Sequence, residues 1–125
     1  MIFLLFSAFA HATDLPEWSF ETGDAGFVAE SGLQWQWGLN SDAQWGWTTR
    51  LEGLYLNDAT DRLIVPAFDL MGTVRPVLQL QHAYDIDQTG DGDAGWLEAY
   101  VDDTWVLIEP VYRYPGPSGF TGTST

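Results

Sequence analysis

The residues best suited to binding chemistry are the acidic side chains of residues 87–98. Asp87, Asp91 and Glu98, with Gly92, follow the spacing of a calcium-binding loop at every position except the third, where Thr89 stands, and Asp93 adds a further candidate carboxylate. Calcium takes six to eight oxygen ligands, and a glycine-rich loop is flexible enough to let several carboxylates converge. An EF-hand also needs a helix on each side, and both flanks here alternate like strands, so we exclude an EF-hand. The loop is either a Ca2+ site with its own geometry or a solvated acidic turn.

A second set of candidate binding residues is aromatic and consists of Trp35, Trp37, Trp45 and Trp47. Exposed indole rings beside Gln or Asp side chains can stack on sugar rings while the polar groups bind sugar hydroxyls. These four residues are therefore candidate ligand-binding residues for carbohydrate. The alternative is that tryptophans at alternating positions fill the space between two sheets, where each ring buries roughly 150–250 Å².

Residues arranged for catalysis are few. His82 is the only histidine beyond the first twelve residues, and it lies within a strand pattern. The sequence contains neither a G-x-S-x-G nucleophile elbow nor an H-E-x-x-H motif. Two carboxylates would suffice for a glycoside hydrolase, but nothing distinguishes one pair among 18 Asp and Glu residues. The sequence thus predicts a protein that is not an enzyme, with a two-carboxylate glycoside hydrolase as an alternative.

The elements that must position these residues are predicted to be short β-strands. Apolar and polar residues alternate over residues 48–56, 77–84 and 96–107, and residues 63–65 form a short apolar run. Turn-forming pairs separate the runs, among them Asn57-Asp58 and Asp102-Asp103. Several short strands at roughly ten-residue spacing predict an all-β antiparallel sandwich.

Composition limits the class of partner. The chain has 125 residues, enough for one domain, and 18 Asp and Glu against four Lys and Arg give a net charge of −14. Such a charge repels phosphate backbones, so we expect no nucleic acid partner. Divalent cations, neutral sugars and basic protein surfaces remain as candidates. The absence of cysteine excludes disulfides and thiolate-bound zinc.

The N-terminus has the pattern of an export signal. Residues 2–10 form a short, mostly apolar run that contains one serine, and Ala10-His11-Ala12 is a small-x-small cleavage pattern. The run is too short for a membrane span. We therefore predict a signal peptide over residues 1–12, a mature domain over residues 13–125, and a secreted or cell-surface location. The alternatives are that residues 2–10 form a buried strand or that the start codon is misassigned.

Several short motifs occur along the chain in the order in which they occur in one known domain family. They are Phe20-Glu21, Trp35-Gln36-Trp37-Gly38, the alternating segment 47–55, the segment 63–70 and Tyr114-Pro115-Gly116. Together they resemble the MAM-like jelly-roll domains of exported bacterial proteins. The best-known carriers are peptidases of the immune inhibitor A type, in which this domain is an accessory to the catalytic one. The sequence departs from the family at the turn before Trp105, where Asp102-Asp103-Thr104 is shorter than the usual D-G-G turn.

The resemblance implies a jelly roll that lacks its closing strands. Such domains continue into a Gly-Trp-x-x-Asp-Asp segment, whereas this chain ends at Thr125, so we expect either a truncated domain or a sheet completed by another chain. It also implies that Glu21 is a ligand of structural calcium. The function expected from these observations is a non-catalytic binding or accessory module for glycans or proteins. The alternative is a structural remnant, or a partner-completed subunit, with no independent activity.

Overall fold

The structure is a computed structural model that describes residues 2–9, 15–31, 34–56, 59–86, 94–111, 114 and 122–123. Within these residues the chain forms nine β-strands and no helix, which confirms the predicted all-β class. The strands are β1 (Ile2–Phe9), β2 (Val28–Ala29), β3 (Trp35–Leu39), β4 (Trp45–Thr49), β5 (Leu63–Ile64), β6 (Val77–Ile86), β7 (Leu97–Val101), β8 (Thr104–Ile108) and β9 (Gly122–Thr123). They are mostly short and make small antiparallel sheets.

The chain divides into two compact units, residues 1–82 and residues 83–125. In the first unit, strands β3, β4, β1 and β6 lie in that order in one sheet, and β2 pairs with β5 in another. The pairs β1–β4, β3–β4 and β2–β5 are antiparallel. In the second unit, β7 pairs with β8, and the last residues of β6 pair with β9, both antiparallel.

The segment predicted to be the core of a signal peptide forms strand β1. Phe3 pairs with Thr48 and Leu4 with Trp47, which places β1 beside β4. In the order of the sheet, β1 lies between β4 and β6, so it is an inner strand. The structure thus gives residues 2–9 a place in the sheet. Ala12 lies outside the described residues, and cleavage after it stays a prediction.

Among the described residues, the buried core of the first unit is small and aromatic. Phe20, Phe27 and Trp47 are buried together. The rings of Phe20 and Phe27 meet edge to face, with centroids 5.1 Å apart and an interplanar angle of 86°. Edge-to-face contact is the arrangement that the charge distribution of aromatic rings favours. The core therefore depends on a few large rings from the segment before β2 and from β4.

The predicted strand over residues 48–56 is wrong beyond Thr49, where β4 ends. Arg50 has φ 67° and Gly53 has φ 80°, both in the left-handed region. A residue in that region breaks the extended geometry of a strand and turns the chain out of the sheet. Polar and apolar residues still alternate through this segment, but its backbone does not pair with a neighbouring strand among the described residues.

Strands β7 and β8 form a tight hairpin, and the turn predicted at Asp102-Asp103 is confirmed. Val101 pairs with Thr104, so the loop has two residues. Asp102 has φ 48° and Asp103 has φ 60°. Two successive positive φ angles are the signature of a type I′ turn, whose twist matches that of the strands and whose preferred sequence is Asn-Gly.

We expect the double variant Asp102→Asn/Asp103→Gly to stabilise this hairpin by about 0.5–1 kcal/mol, because both replacements adopt positive φ with less strain than aspartate. Thermal unfolding followed by circular dichroism measures the gain. Removing two carboxylates also relieves charge repulsion, so the comparison is repeated at about 1 M salt, where exposed charges are screened. A gain that disappears in high salt would assign the effect to charge and contradict the turn argument.

Candidate functional site

The four candidate tryptophans lie on one face of the β3–β4 hairpin. Trp37 pairs with Trp47, and Leu39 pairs with Trp45. Because side chains alternate between the two faces of a strand, Trp35 and Trp37 share a face with Trp45 and Trp47. The structure thus brings together all four residues that the sequence singled out.

Three of these indoles donate hydrogen bonds to backbone carbonyl oxygens of the first unit. Trp47 is buried, and its Nε1 donates a hydrogen bond to the carbonyl oxygen of Asp24 at 3.1 Å. Trp37 Nε1 donates to the carbonyl oxygen of Phe20 at 3.1 Å, and Trp35 Nε1 to that of Asp61 at 3.4 Å. A buried indole N–H needs such an acceptor, because leaving it unpaired costs free energy. These contacts give Trp35, Trp37 and Trp47 a role in packing.

Trp45 differs from the other three because 41% of its surface is exposed. Its ring stacks on that of Trp37, with centroids 4.8 Å apart and an interplanar angle of 20°. Stacking holds the indole of Trp45 against a partly buried ring, so its orientation is fixed on one side while the rest of the ring meets solvent. An aromatic ring held in this way is suited to stacking against a flat apolar ligand surface.

The turn before Trp45 is held by Asn40. Its side-chain Oδ1 accepts hydrogen bonds from the backbone N–H groups of Asp42 and Gln44, both at 3.0 Å. The backbone N–H of Asn40 donates to the carbonyl oxygen of Gln44 at 2.9 Å. Asparagine favours turns because its side chain makes such local bonds. The side chains of Asp42 and Gln44 are exposed beside Trp45 in the chain. We call Asn40, Asp42, Gln44 and Trp45, with Trp37 beneath, the hairpin tip.

The hairpin tip combines a rigid aromatic surface with polar side chains. Carboxylate and amide groups accept and donate hydrogen bonds, while the indole offers an apolar face. This combination can bind a molecule that has both hydroxyl groups and an apolar face. The sequence identified the tryptophans but could not rank them, because exposure depends on packing against residues distant in the chain.

A polar cluster centred on Asp61 positions the start of β3. The Asp61 carboxylate accepts hydrogen bonds from the backbone N–H of Ser31 at 2.9 Å, Gln34 at 3.1 Å and Trp35 at 3.5 Å. The buried Gln34 in turn bonds the backbone of Leu56 twice, through Nε2 at 3.3 Å and Oε1 at 3.2 Å. Burial by itself raises the pKa of Asp61, but the hydrogen bonds from Ser31, Gln34 and Trp35 outweigh it and lower the pKa below its ordinary value.

The sequence did not single out Asp61. Its partners lie 26 to 30 residues away along the chain, so no local spacing reveals them. In the sequence, Asp61 looks like an ordinary acidic residue of an exposed loop, because it only precedes a two-residue strand. Only the fold brings this carboxylate to the backbone that leads into the tryptophan hairpin.

The calcium candidates are spread over two parts of the chain. Asp87, Asp91 and Asp93 lie outside the described residues. Glu98 is half-buried in β7, and Glu21 is exposed in the turn after Phe20. Among the residues that the structure describes, no three His, Cys, Asp or Glu side chains are grouped to hold a metal ion. Calcium binding stays a prediction. Because β6 ends at Ile86 and β7 begins at Leu97, the loop joins two strands, which agrees with our exclusion of an EF-hand.

His82 lies in β6 and is half-buried. The pKa of its imidazole lies below the ordinary value, because burial lowers it by more than a hydrogen bond with the backbone of Leu80 raises it. The neutral ring is therefore favoured near pH 7, as expected for a histidine that is packed within a sheet.

Searches against protein-family models, curated proteins and solved structures gave no match for this chain. The resemblance to MAM-like domains therefore stays a prediction from the motifs. In the described part of the chain there is no helix that is long and apolar enough to cross a membrane.

Proposed function

We propose that this chain is an exported, non-catalytic binding module that binds glycans at the hairpin tip. The observation that carries the proposal is the exposed ring of Trp45, held against Trp37 at the end of a turn that Asn40 braces. Asp42 and Gln44 supply polar groups for sugar hydroxyls. A net charge of −14 favours neutral or cationic sugars over sulfated or sialylated ones.

Export is the part of this proposal that depends on residues 1–12. The apolar run and the Ala10-His11-Ala12 pattern support cleavage after Ala12 and a secreted or cell-surface location. The jelly-roll sandwich belongs to the same proposal. It is supported by the antiparallel strand pairs and by the order of the family-like motifs.

Glycan binding is tested by replacing the exposed indole. We expect Trp45→Ala to weaken binding to the best neutral glycan on an array by about tenfold, because a central aromatic anchor contributes most of the affinity at such a site. Isothermal titration of the full chain measures the change.

Trp96→Ala is the matched control, because Trp96 is 44% exposed and lies outside the hairpin tip. We expect it to leave the affinity within about twofold. Circular dichroism checks that both variants keep their strands. Equal losses in the two variants, or no binding of the wild type to any glycan on the array, would contradict the proposal.

A second candidate function is a subunit that a partner protein completes. It is favoured by the apolar side chains that β7 and β8 leave exposed on one face, which include Val101, Val106 and Ile108. Monomeric proteins seldom leave such side chains clustered at the surface unless the cluster contacts a partner.

A further inference from the structure

The register of the β7–β8 hairpin sorts its side chains into two chemically different faces. Leu97 pairs with Ile108, Ala99 with Val106, and Val101 with Thr104 at the turn. Paired residues lie on the same side of a sheet, and every second residue returns to that side. One side therefore carries five apolar residues, with Thr104 beside them at the turn. We call these five the apolar face: Leu97, Ala99, Val101, Val106 and Ile108.

The opposite side of the hairpin is mixed and includes a carboxylate. Glu98 pairs with Leu107, and Tyr100 pairs with Trp105. The rings of Tyr100 and Trp105 lie against each other, with centroids 5.0 Å apart. A carboxylate within this face makes its burial unfavourable. Of the two faces, the apolar face is the one suited to burial against another protein.

Three of the five residues of the apolar face are exposed to solvent, and Leu97 and Ala99 are half-buried. Val106 is 49% exposed, and Val101 and Ile108 are exposed as well. A two-stranded hairpin is at best marginally stable without a further layer packed on it. The hairpin therefore gains stability from any surface that covers this face.

The hairpin is braced at both ends, which prepares it for docking. The type I′ turn at Asp102-Asp103 closes one end. At the other end, the Tyr114 hydroxyl accepts a hydrogen bond from the Leu97 N–H at 2.8 Å and donates one to the Ile108 carbonyl oxygen at 2.6 Å. A braced surface loses less conformational entropy on binding than a flexible one.

Charge indicates the chemistry of the partner. Residues 94–111 include Glu98, Asp102, Asp103 and Glu109 and no Lys, Arg or His. A second copy of the chain would bring the same four carboxylates and the same net charge of −14 to the contact. Like charges across an interface disfavour association, whereas opposite charges favour it. A basic partner fits this surface better than a second copy does.

We propose that the apolar face of β7–β8 is a docking surface for a partner protein that presents an apolar patch bordered by Lys and Arg. This proposal gives the second candidate function its partner chemistry and is independent of glycan binding, because the two surfaces are on different strands. The partner's apolar patch covers the valines, and its basic border meets the carboxylates at the turn and at Glu109.

The probe is a fluorescent eight-residue peptide of alternating valine and lysine, which offers one apolar and one basic side. A serine–lysine peptide of equal charge is the control for electrostatic attraction alone. We expect the full chain to bind the valine–lysine peptide about tenfold more tightly in fluorescence anisotropy. Because exposed charges contribute, the affinity also falls as salt is raised.

Val106→Gln is expected to remove this tenfold preference, and Val101→Gln is a second variant on the same face. Leu107→Gln is the matched control, since Leu107 is 55% exposed, adjoins Val106 in β8 and lies on the other face. It should keep the affinity within about twofold. Trp45→Ala should also keep peptide binding, so that failure of the glycan proposal and failure of this one are separate results.

Three results would overturn the proposal. Equal affinity for the two peptides would show attraction by charge alone. Equal losses in Val106→Gln and Leu107→Gln, with strands retained in circular dichroism, would show that the apolar face is not the contact. A wild-type dimer in sedimentation that Val106→Gln converts to monomer would show that the occupant is a second copy.

Discussion

Replacing Phe20 by alanine is expected to lower the free energy of unfolding of the first unit by about 3–5 kcal/mol. Phe20 is fully buried and contacts Phe27 edge to face within the small aromatic core. Removing the ring loses its transfer free energy and leaves a cavity that the surrounding rings can only partly fill. Since a domain of this size is stable by about 5–15 kcal/mol, the loss is a large part of the total.

Urea unfolding followed by tryptophan fluorescence measures this effect, because Trp47 lies in the same core. Phe68→Ala is the matched control. Phe68 is 42% exposed, although its ring meets that of Trp18 at 5.3 Å. We expect this control to cost less than about 1 kcal/mol. Similar losses for the two variants would mean that Phe20 does not occupy the core.

The second large effect is expected at Asp61. Asp61→Asn should lower stability by about 2 kcal/mol at pH 7, because an amide group replaces a carboxylate oxygen that accepts hydrogen bonds from backbone N–H groups. The amide N–H groups of asparagine would face other donors. The start of β3, and with it the tryptophan hairpin, would lose its brace.

The pH dependence gives this prediction a distinct signature. The pKa of Asp61 is lower in the folded protein than its ordinary value, because the hydrogen bonds outweigh the effect of burial. Its stabilising contribution is therefore present above the unfolded-state pKa of about 4 and is lost as the pH falls through the lower folded-state pKa. The difference in stability between wild type and Asp61→Asn should shrink over that range.

Asp69→Asn is the control for this experiment. Asp69 accepts one hydrogen bond, at 2.7 Å, from the N–H of Met71 only two residues away. A local contact in an exposed turn contributes little to tertiary stability, so we expect a change within about 0.5 kcal/mol. A difference between wild type and Asp61→Asn that stays constant down to pH 2 would contradict the role assigned to the charged carboxylate.

The strands that sequence alone predicts well are those where alternation and turn chemistry agree. The strand predicted over residues 77–84 is found as β6, and the run over residues 96–107 becomes β7 and β8 around the Asp102-Asp103 turn. The segment 48–56 fails because Arg50 and Gly53 adopt left-handed backbone angles. Alternation specifies which faces a strand would have, but it does not ensure that a neighbouring strand is there.

The sequence predicted which residue types form the candidate site, but it did not predict how deeply each side chain is buried. Trp45 and Trp47 stand two positions apart in the same strand and on the same face, yet one is exposed and the other buried. The difference comes from Phe20 and Phe27, which cover one end of that face. Contacts between residues this far apart in sequence leave no trace in local spacing, and the Asp61 cluster was missed for the same reason.

The small aromatic core has a consequence for how stability varies with temperature. Among the described residues, the buried hydrophobic side chains are Phe20, Phe27, Trp47 and Ile86. The heat capacity change of unfolding rises with the apolar surface that unfolding newly exposes, and much of that surface is already hydrated in the folded chain. From the described residues we therefore expect a shallow stability curve, so that cooling weakens the fold only slightly and warming unfolds it over a broad interval.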